Sequence, residues 1–471
     1  MERIPTYVPN LDEVLCGGIP ESSVVLVTGV PGSGKTILAQ QAAFGVAAAG
    51  GKSLIVSTLS EPLARMVRFM QGFTFFDTDA IGTSVIYEDV GTRLLQENGE
   101  KALEHVVNLL QEHSPTLLVI DSFKAIQEMS LDKEQLRRSL YTLMGTVAAY
   151  PCTAILVGEY TDDDLASAII TSMVDGIIAL YNQRVGLYDR RYLRVAKLRG
   201  SAYIPGEHAF RITQEGITVF PRIVPPQTAT MYTPTRERVN TGIPGLDDML
   251  HGGLFRGSIT LIAGDPGVGK TVTAMHFLLN GAQEGERGVY FSFQEDPYQW
   301  AQIARNFGFD IDDLQRRGLV DVVYTSPVEI DVEQFAWLMR ETVTRTGARR
   351  VVIDSMRDLE AGARGEPERF FNYSYGLMQW LKERGVTTLI TSEIGQIFGM
   401  DLVLSGVGLS HIADVLVVLR YTVDESRIRR AIAVLAQRGS PHSNQIHEYL
   451  ISEAEGPRVG APLAGGFALW P

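Results

Sequence analysis

Two stretches of this chain carry residue types that grip phosphate. Gly29-Val30-Pro31-Gly32-Ser33-Gly34-Lys35-Thr36 and Gly264-Asp265-Pro266-Gly267-Val268-Gly269-Lys270-Thr271 each follow a β-branched run and open a helical one. Glycines in this pattern let successive backbone N–H groups curl around phosphate oxygens, and the helix N-terminus behind them adds partial positive charge. Lys35 and Lys270 neutralise phosphate charge, and the hydroxyls of Thr36 and Thr271 are suited to ligating Mg2+ beside ATP. The expected nucleotide contacts are Gly32, Ser33, Gly34, Lys35, Thr36 and Ile37 in the first stretch. In the second they are Gly267, Val268, Gly269, Lys270, Thr271 and Val272.

Binding alone hydrolyses nothing, so carboxylates come next. Asp121 ends the apolar run LLVID and Asp354 ends RVVID, which puts each at the C-terminal edge of a buried strand, where ligands of open α/β sheets sit. Both are expected to hold the metal through water. A further carboxylate must orient or deprotonate the attacking water, usually from the strand beside the phosphate loop. YFSFQEDP offers Glu295 there, as working carboxylate and further metal contact, whereas IVSTLSEP has Ser60, with Glu61 one residue later. Along a regular strand that shift turns a side chain to the other face. The second copy is therefore expected to hydrolyse ATP and the first mainly to hold it.

These residues need a scaffold to position them, and the chain supplies the same one twice. LDEVLCGGIPESSVVLVTGVPGSGKT recurs as LDDMLHGGLFRGSITLIAGDPGVGKT, followed in both copies by VIDS and RGS, at a spacing of roughly 235 residues. Short β-branched runs alternate with helical ones in each copy. The fold expected is α/β: two tandem RecA-like phosphate-loop domains, each a doubly wound, mostly parallel sheet. Residues 1–222 form the first domain on this reading, 223–235 a proline-rich linker, 236–455 the second domain, and 456–471 a short tail.

The 471 residues exceed one ordinary core, which agrees with duplication. A balance of 42 basic against 55 acidic residues, net −13, disfavours general polyanion or anionic-membrane binding. Only Cys16 and Cys152 occur, so no disulfide framework is expected. No apolar run reaches the length of a bilayer span and no signal peptide stands at the N-terminus, so a soluble cytoplasmic protein is expected.

The GG lead-in, two phosphate loops, VIDS twice, and the KLRGS and QRGS segments resemble the KaiC family of tandem RecA-like ATPases, which stack two six-membered rings. The resemblance covers roughly residues 5–455. It implies a homohexamer with ATP between neighbouring subunits and a trans phosphate contact from Lys197, Leu198 and Arg199. The run DRRYLRVAKLRGS alternates, so Arg191, Val195, Lys197 and Arg199 are expected on one face of a strand. In the second copy Arg430 and Arg438 remain, while Ala436 replaces the lysine. The family's Glu-Glu pair becomes Gln294-Glu295, which implies slow turnover, because glutamine holds water but takes no proton. The family's Ser-Thr phosphoacceptor pair becomes Ser410-His411, leaving Ser410 as the one acceptor for a serine autokinase. A circadian or signalling role with regulatory protein partners is implied by resemblance alone.

Two other classes fit parts of the sequence. A DNA-binding motor shares the RecA fold, and the basic runs 184–199 and 420–438 would line its channel. A scaffold glued by ATP would need the loops but not Glu295.

Overall fold

The structure, a computed structural model, describes residues 2–463 apart from 60–62, 131, 168, 186–187, 225–235, 327–330, 364–365, 395–411, 425–426 and 454. The chain divides into two compact units, Met1–Arg222 and Ile223–Pro471. Each contains a nine-stranded sheet with the same strand order.

In the first unit that order runs Val85–Asp89, Ser53–Ser57, Leu117–Asp121, Thr153–Gly158, Val24–Gly29 and Gly176–Val185, all parallel, then Tyr188–Leu198, Glu207–Thr213 and Gly216–Phe220, antiparallel. The second repeats it as Val320–Tyr324, Gly288–Ser292, Arg350–Asp354, Thr387–Glu393, Ile259–Gly264 and Val415–Asp424, then Arg427–Gln437, His447–Ser452 and Gly456–Pro462. The central strands are buried along their whole length because helices cover both faces. That is why they read as continuous apolar runs and not as alternating ones. Separate apolar clusters on the two faces of each sheet confirm the doubly wound α/β architecture.

The last strand revises the expected tail. Residues 456–462 pair antiparallel with His447–Ser452 and close the second sheet, as Gly216–Phe220 closes the first. Gly456 at its start carries φ 69°, a turn the glycine-rich composition permits but does not announce. At the other end of the unit, Ile223 is buried in the second core and not free in the linker.

A second revision concerns the cationic strand. Ile178 pairs with Val195 but Ile177 with Lys197, so Ala196 is an extra, bulged residue. Val195 faces the core beside the phosphate-loop helix, and Lys197 is turned to the opposite side of the sheet from Arg191. The expected single row of Arg191, Val195, Lys197 and Arg199 is therefore broken. The same bulge recurs at Leu435, since Val417 pairs with Val434 and Leu416 with Ala436.

Candidate functional site

Each phosphate loop joins a buried strand to a helix, Lys35–Ala48 or Lys270–Gln283. Gly34 and Gly269, just before those lysines, adopt φ 103° and 114°, which other L-residues rarely tolerate. Their left-handed turn is what bends the loop into a cradle. The two lysines lie folded into it. Lys35 Nζ donates to the Gly29 and Val30 carbonyls at 2.9 Å each, and Lys270 Nζ to the Gly264 and Asp265 carbonyls at 3.0 and 2.9 Å. Burial pushes both ammonium groups below the usual lysine range; nearby carboxylates, Glu159 and Asp121 for Lys35 and Glu393, Asp354 and Asp265 for Lys270, oppose the shift. A phosphate entering the cradle would restore the charge that burial disfavours.

In the first unit the loop opens on a cavity of about 850 Å3, lined among others by Thr36, Leu59, Arg65, Asp121, Lys124 and Glu159. Asp121, buried at its strand end, accepts from the Thr36 hydroxyl at 2.6 Å. Glu159 at the next strand end lies 3.6 Å from Lys35 Nζ. The Ser33 hydroxyl is buried in the loop without a protein partner. A hydroxyl and a carboxylate oxygen held together are hard donors of the kind Mg2+ accepts, so the residues present fit a magnesium–nucleotide complex.

The second unit brings Asp354, Glu295, Gln294 and Asp358 together. Glu295 does not sit on the strand, as expected, but on a turn after it. The strand ends at Ser292, and the turn closes through Glu295 N–H donating to Ser292 Oγ at 3.1 Å. The strand-face comparison with the first unit therefore does not reach Glu295, and Ser60 and Glu61 lie outside the described residues. Burial, with Asp354 and Asp358 nearby, raises the Glu295 carboxyl above the usual carboxylate range. Gln294 Nε2 donates to Asp358 Oδ2 at 3.3 Å. The corresponding first-unit residues, Leu59 and Ala125, have no polar group to offer. Asp296 turns out to be structural: its carboxylate accepts from Tyr298 and Gln299 N–H at 2.8 Å each and caps the helix Pro297–Asn306.

This chain is matched by a family model described as the KaiC ATPase, over residues 4–223 and 239–463. The chain belongs to the KaiC family. Its relatives include the circadian clock oscillator protein KaiC of Picosynechococcus sp., 27% identical over 464 residues that cover 96% of this chain and 89% of the relative. The Thermostichus vulcanus protein of that name is 28% identical, with 96% and 88% covered, and the Synechococcus elongatus one 25% identical, with 97% and 89% covered.

The expected trans residues are engaged within their own unit. Lys197 Nζ donates to the Thr171 carbonyl at 3.0 Å and Arg199 to that of Ser172 at 2.9 Å, at the C-terminal end of the helix Ile169–Met173, where cations are favoured. Leu198 is buried. Arg191 donates to Gly32 O of its own phosphate loop at 2.8 Å. Its counterpart Arg430 lies over the Tyr421 ring, at 6.0 Å, and Arg438 closes the strand through a backbone bond to Asp414 at 2.8 Å. Ser410 lies outside the described residues. Glu159 and Glu393 were missed in the sequence, although GEY and SEI end equivalent strands; aligning the copies strand end by strand end would have found them. No helix among the described residues is long and apolar enough to cross a membrane.

Proposed function

We propose that this KaiC-family chain is a slow Mg2+-dependent ATPase that assembles as a homohexamer, with nucleotide state governing assembly and conformation. The second unit is the hydrolytic one: Lys270 would neutralise phosphate, Thr271 and Asp354 would hold the metal, and Glu295 would orient the attacking water and accept its proton. The first unit holds ATP through Lys35, Thr36 and Asp121 and stabilises the ring. Bound Mg2+ would supply positive charge at the β- and γ-phosphate oxygens. Lys197, Arg199, Arg430 and Arg438 would exchange their present contacts for a neighbour's phosphates on assembly.

The observation that carries this division of labour is the half-buried Glu295 carboxylate beside Asp354, on a turn whose first-unit counterpart presents Leu59 at the equivalent of Gln294. A leucine at that position can neither hold a water nor support a neighbouring carboxylate as Gln294 can. The relatives' printed names support extending the proposal to a circadian role; a signalling role in the cytoplasm, with serine autophosphorylation at Ser410 as a secondary activity, is proposed with it. Native mass measurement tests the assembly: a hexamer is expected with Mg2+–ATP and smaller species without it. A monomer under both conditions would reject the ring.

A further inference from the structure

The two phosphate sites hold their strand-end aspartates differently. Asp121 accepts from the Thr36 hydroxyl at 2.6 Å, which turns that hydroxyl's lone pairs outward, where a metal could take one. Asp354 instead accepts from the Tyr290 hydroxyl at 2.6 Å through Oδ2 and from the Thr391 hydroxyl through Oδ1. Among the described residues no bond from Thr271 reaches it. The strand registers trace the difference to two substitutions. Tyr290 occupies the position of Ile55, each beside the strand that ends in the aspartate, and Thr391 that of Val157, each beside the phosphate-loop strand. Isoleucine and valine donate nothing.

Tyr290 is fully buried, its ring 5.2 Å from Trp300, so its hydroxyl has no solvent to compete for it. A buried hydroxyl donating to an ionised carboxylate makes a charge-assisted bond, stronger than its neutral equivalent. With one oxygen committed to Tyr290 and the other to Thr391, fewer lone pairs remain for metal-bound water or for the Thr271 hydroxyl.

We propose that Tyr290, assisted by Thr391, is a positioning residue that latches the Asp354 carboxylate away from Thr271, so that the second site loads Mg2+–ATP at higher Mg2+ than the first. The proposal rests on reading both loops as Mg2+–ATP sites. It gives one chain two magnesium thresholds: the ring-holding site fills first and the hydrolytic site responds at higher free Mg2+.

The test is a Mg2+ titration of fluorescent ATP-analogue binding to full-length protein with one loop disabled. Lys270→Ala reports the first site and Lys35→Ala the second. The second-site midpoint is expected to lie above the first, and adding Tyr290→Phe to the Lys35→Ala protein should lower it roughly tenfold, the scale on which outer partners tune metal sites. Thr391→Val, which installs the residue found at position 157, should lower it in the same direction and guards against a folding defect in the tyrosine variant. Nucleotide bound at saturating Mg2+ should stay constant across these variants, which a merely structural loss would not allow. A midpoint that stays put or rises in both variants overturns the latch while leaving the ATP sites intact. Absence of binding in Lys35→Ala protein at every Mg2+ concentration, with its fold retained, would instead overturn the second loop as an ATP site, and the latch with it.

Discussion

Glu295 is the residue on which the chemistry turns. A water-activating carboxylate works ionised, and burial beside Asp354 raises this one, so turnover should climb with pH through a window above the ordinary carboxylate range. Glu295→Gln should abolish that pH dependence and lower turnover about a hundredfold, the usual yield of a positioned base. Phosphate release followed across pH checks both; an unchanged profile would remove Glu295 from the mechanism. Much of this site was legible in the sequence. The lysines, threonines and strand-end aspartates follow from short motifs whose spacing the backbone dictates. Three things were not. Glu295 sits on a turn and not on the strand, because Ser292 captures its N–H. Tyr290 and Thr391 reach Asp354 only through neighbouring strands. Asp296, next to Glu295 in the chain, is a helix cap, which its motif alone does not tell apart from a site carboxylate.

Elements explain what single positions cannot. The bulges at Ala196 and Leu435 were invisible in the alternation of the strand sequence, since one extra residue reverses every face beyond it. They send Lys197 to the helix-end carbonyls while Arg191 stays on its phosphate loop. At the other side of the second site, Asp296→Ala should cost about 1 kcal/mol of stability, the usual value of an N-cap, measurable by denaturant unfolding. Gln41 and His276 stand at equivalent buried places of the two phosphate-loop helices and are held differently. Gln41 exchanges bonds with Ile217, its Oε1 accepting from the N–H at 2.7 Å, while His276 is enclosed by Phe307 and Phe309, ring centroids 5.3 and 5.1 Å away. Burial pushes the His276 imidazole down to about 4. The unfolded chain therefore takes up a proton near pH 6.5 that the folded unit refuses until about pH 4. Stability is full above that window and falls by about 3 kcal/mol across it as pH drops. His276→Gln should flatten the slope in unfolding measured at several pH values; an unaltered slope would place the titration elsewhere.

At the scale of the whole molecule, duplication made the fold readable: strand order, registers and phosphate loops recur in both units, so each copy tests the reading of the other. The end of the second sheet was not readable, because Gly456–Pro462 is an edge strand of low β-propensity, set by pairing rather than by its own residues. Three cations of the basic runs that favoured a DNA motor face carboxylates, and the chain as a whole carries net charge −13. Arg199 faces Asp175 at 3.7 Å, Arg420 faces Asp265 at 3.7 Å, and Arg429 faces Glu448 at 3.7 Å. Single-stranded DNA should accordingly bind weakly even at low salt, and tight binding with a steep salt dependence would restore the motor. The central claim, that one unit hydrolyses and the other holds, is tested most directly by steady-state phosphate release at saturating Mg2+–ATP from Lys270→Ala protein beside Lys35→Ala protein. Most turnover should vanish with Lys270, while Lys35→Ala protein keeps a hydrolytic site in a weakened assembly. Turnover that survives Lys270→Ala and disappears with Lys35→Ala, the hexamer intact, would contradict the claim.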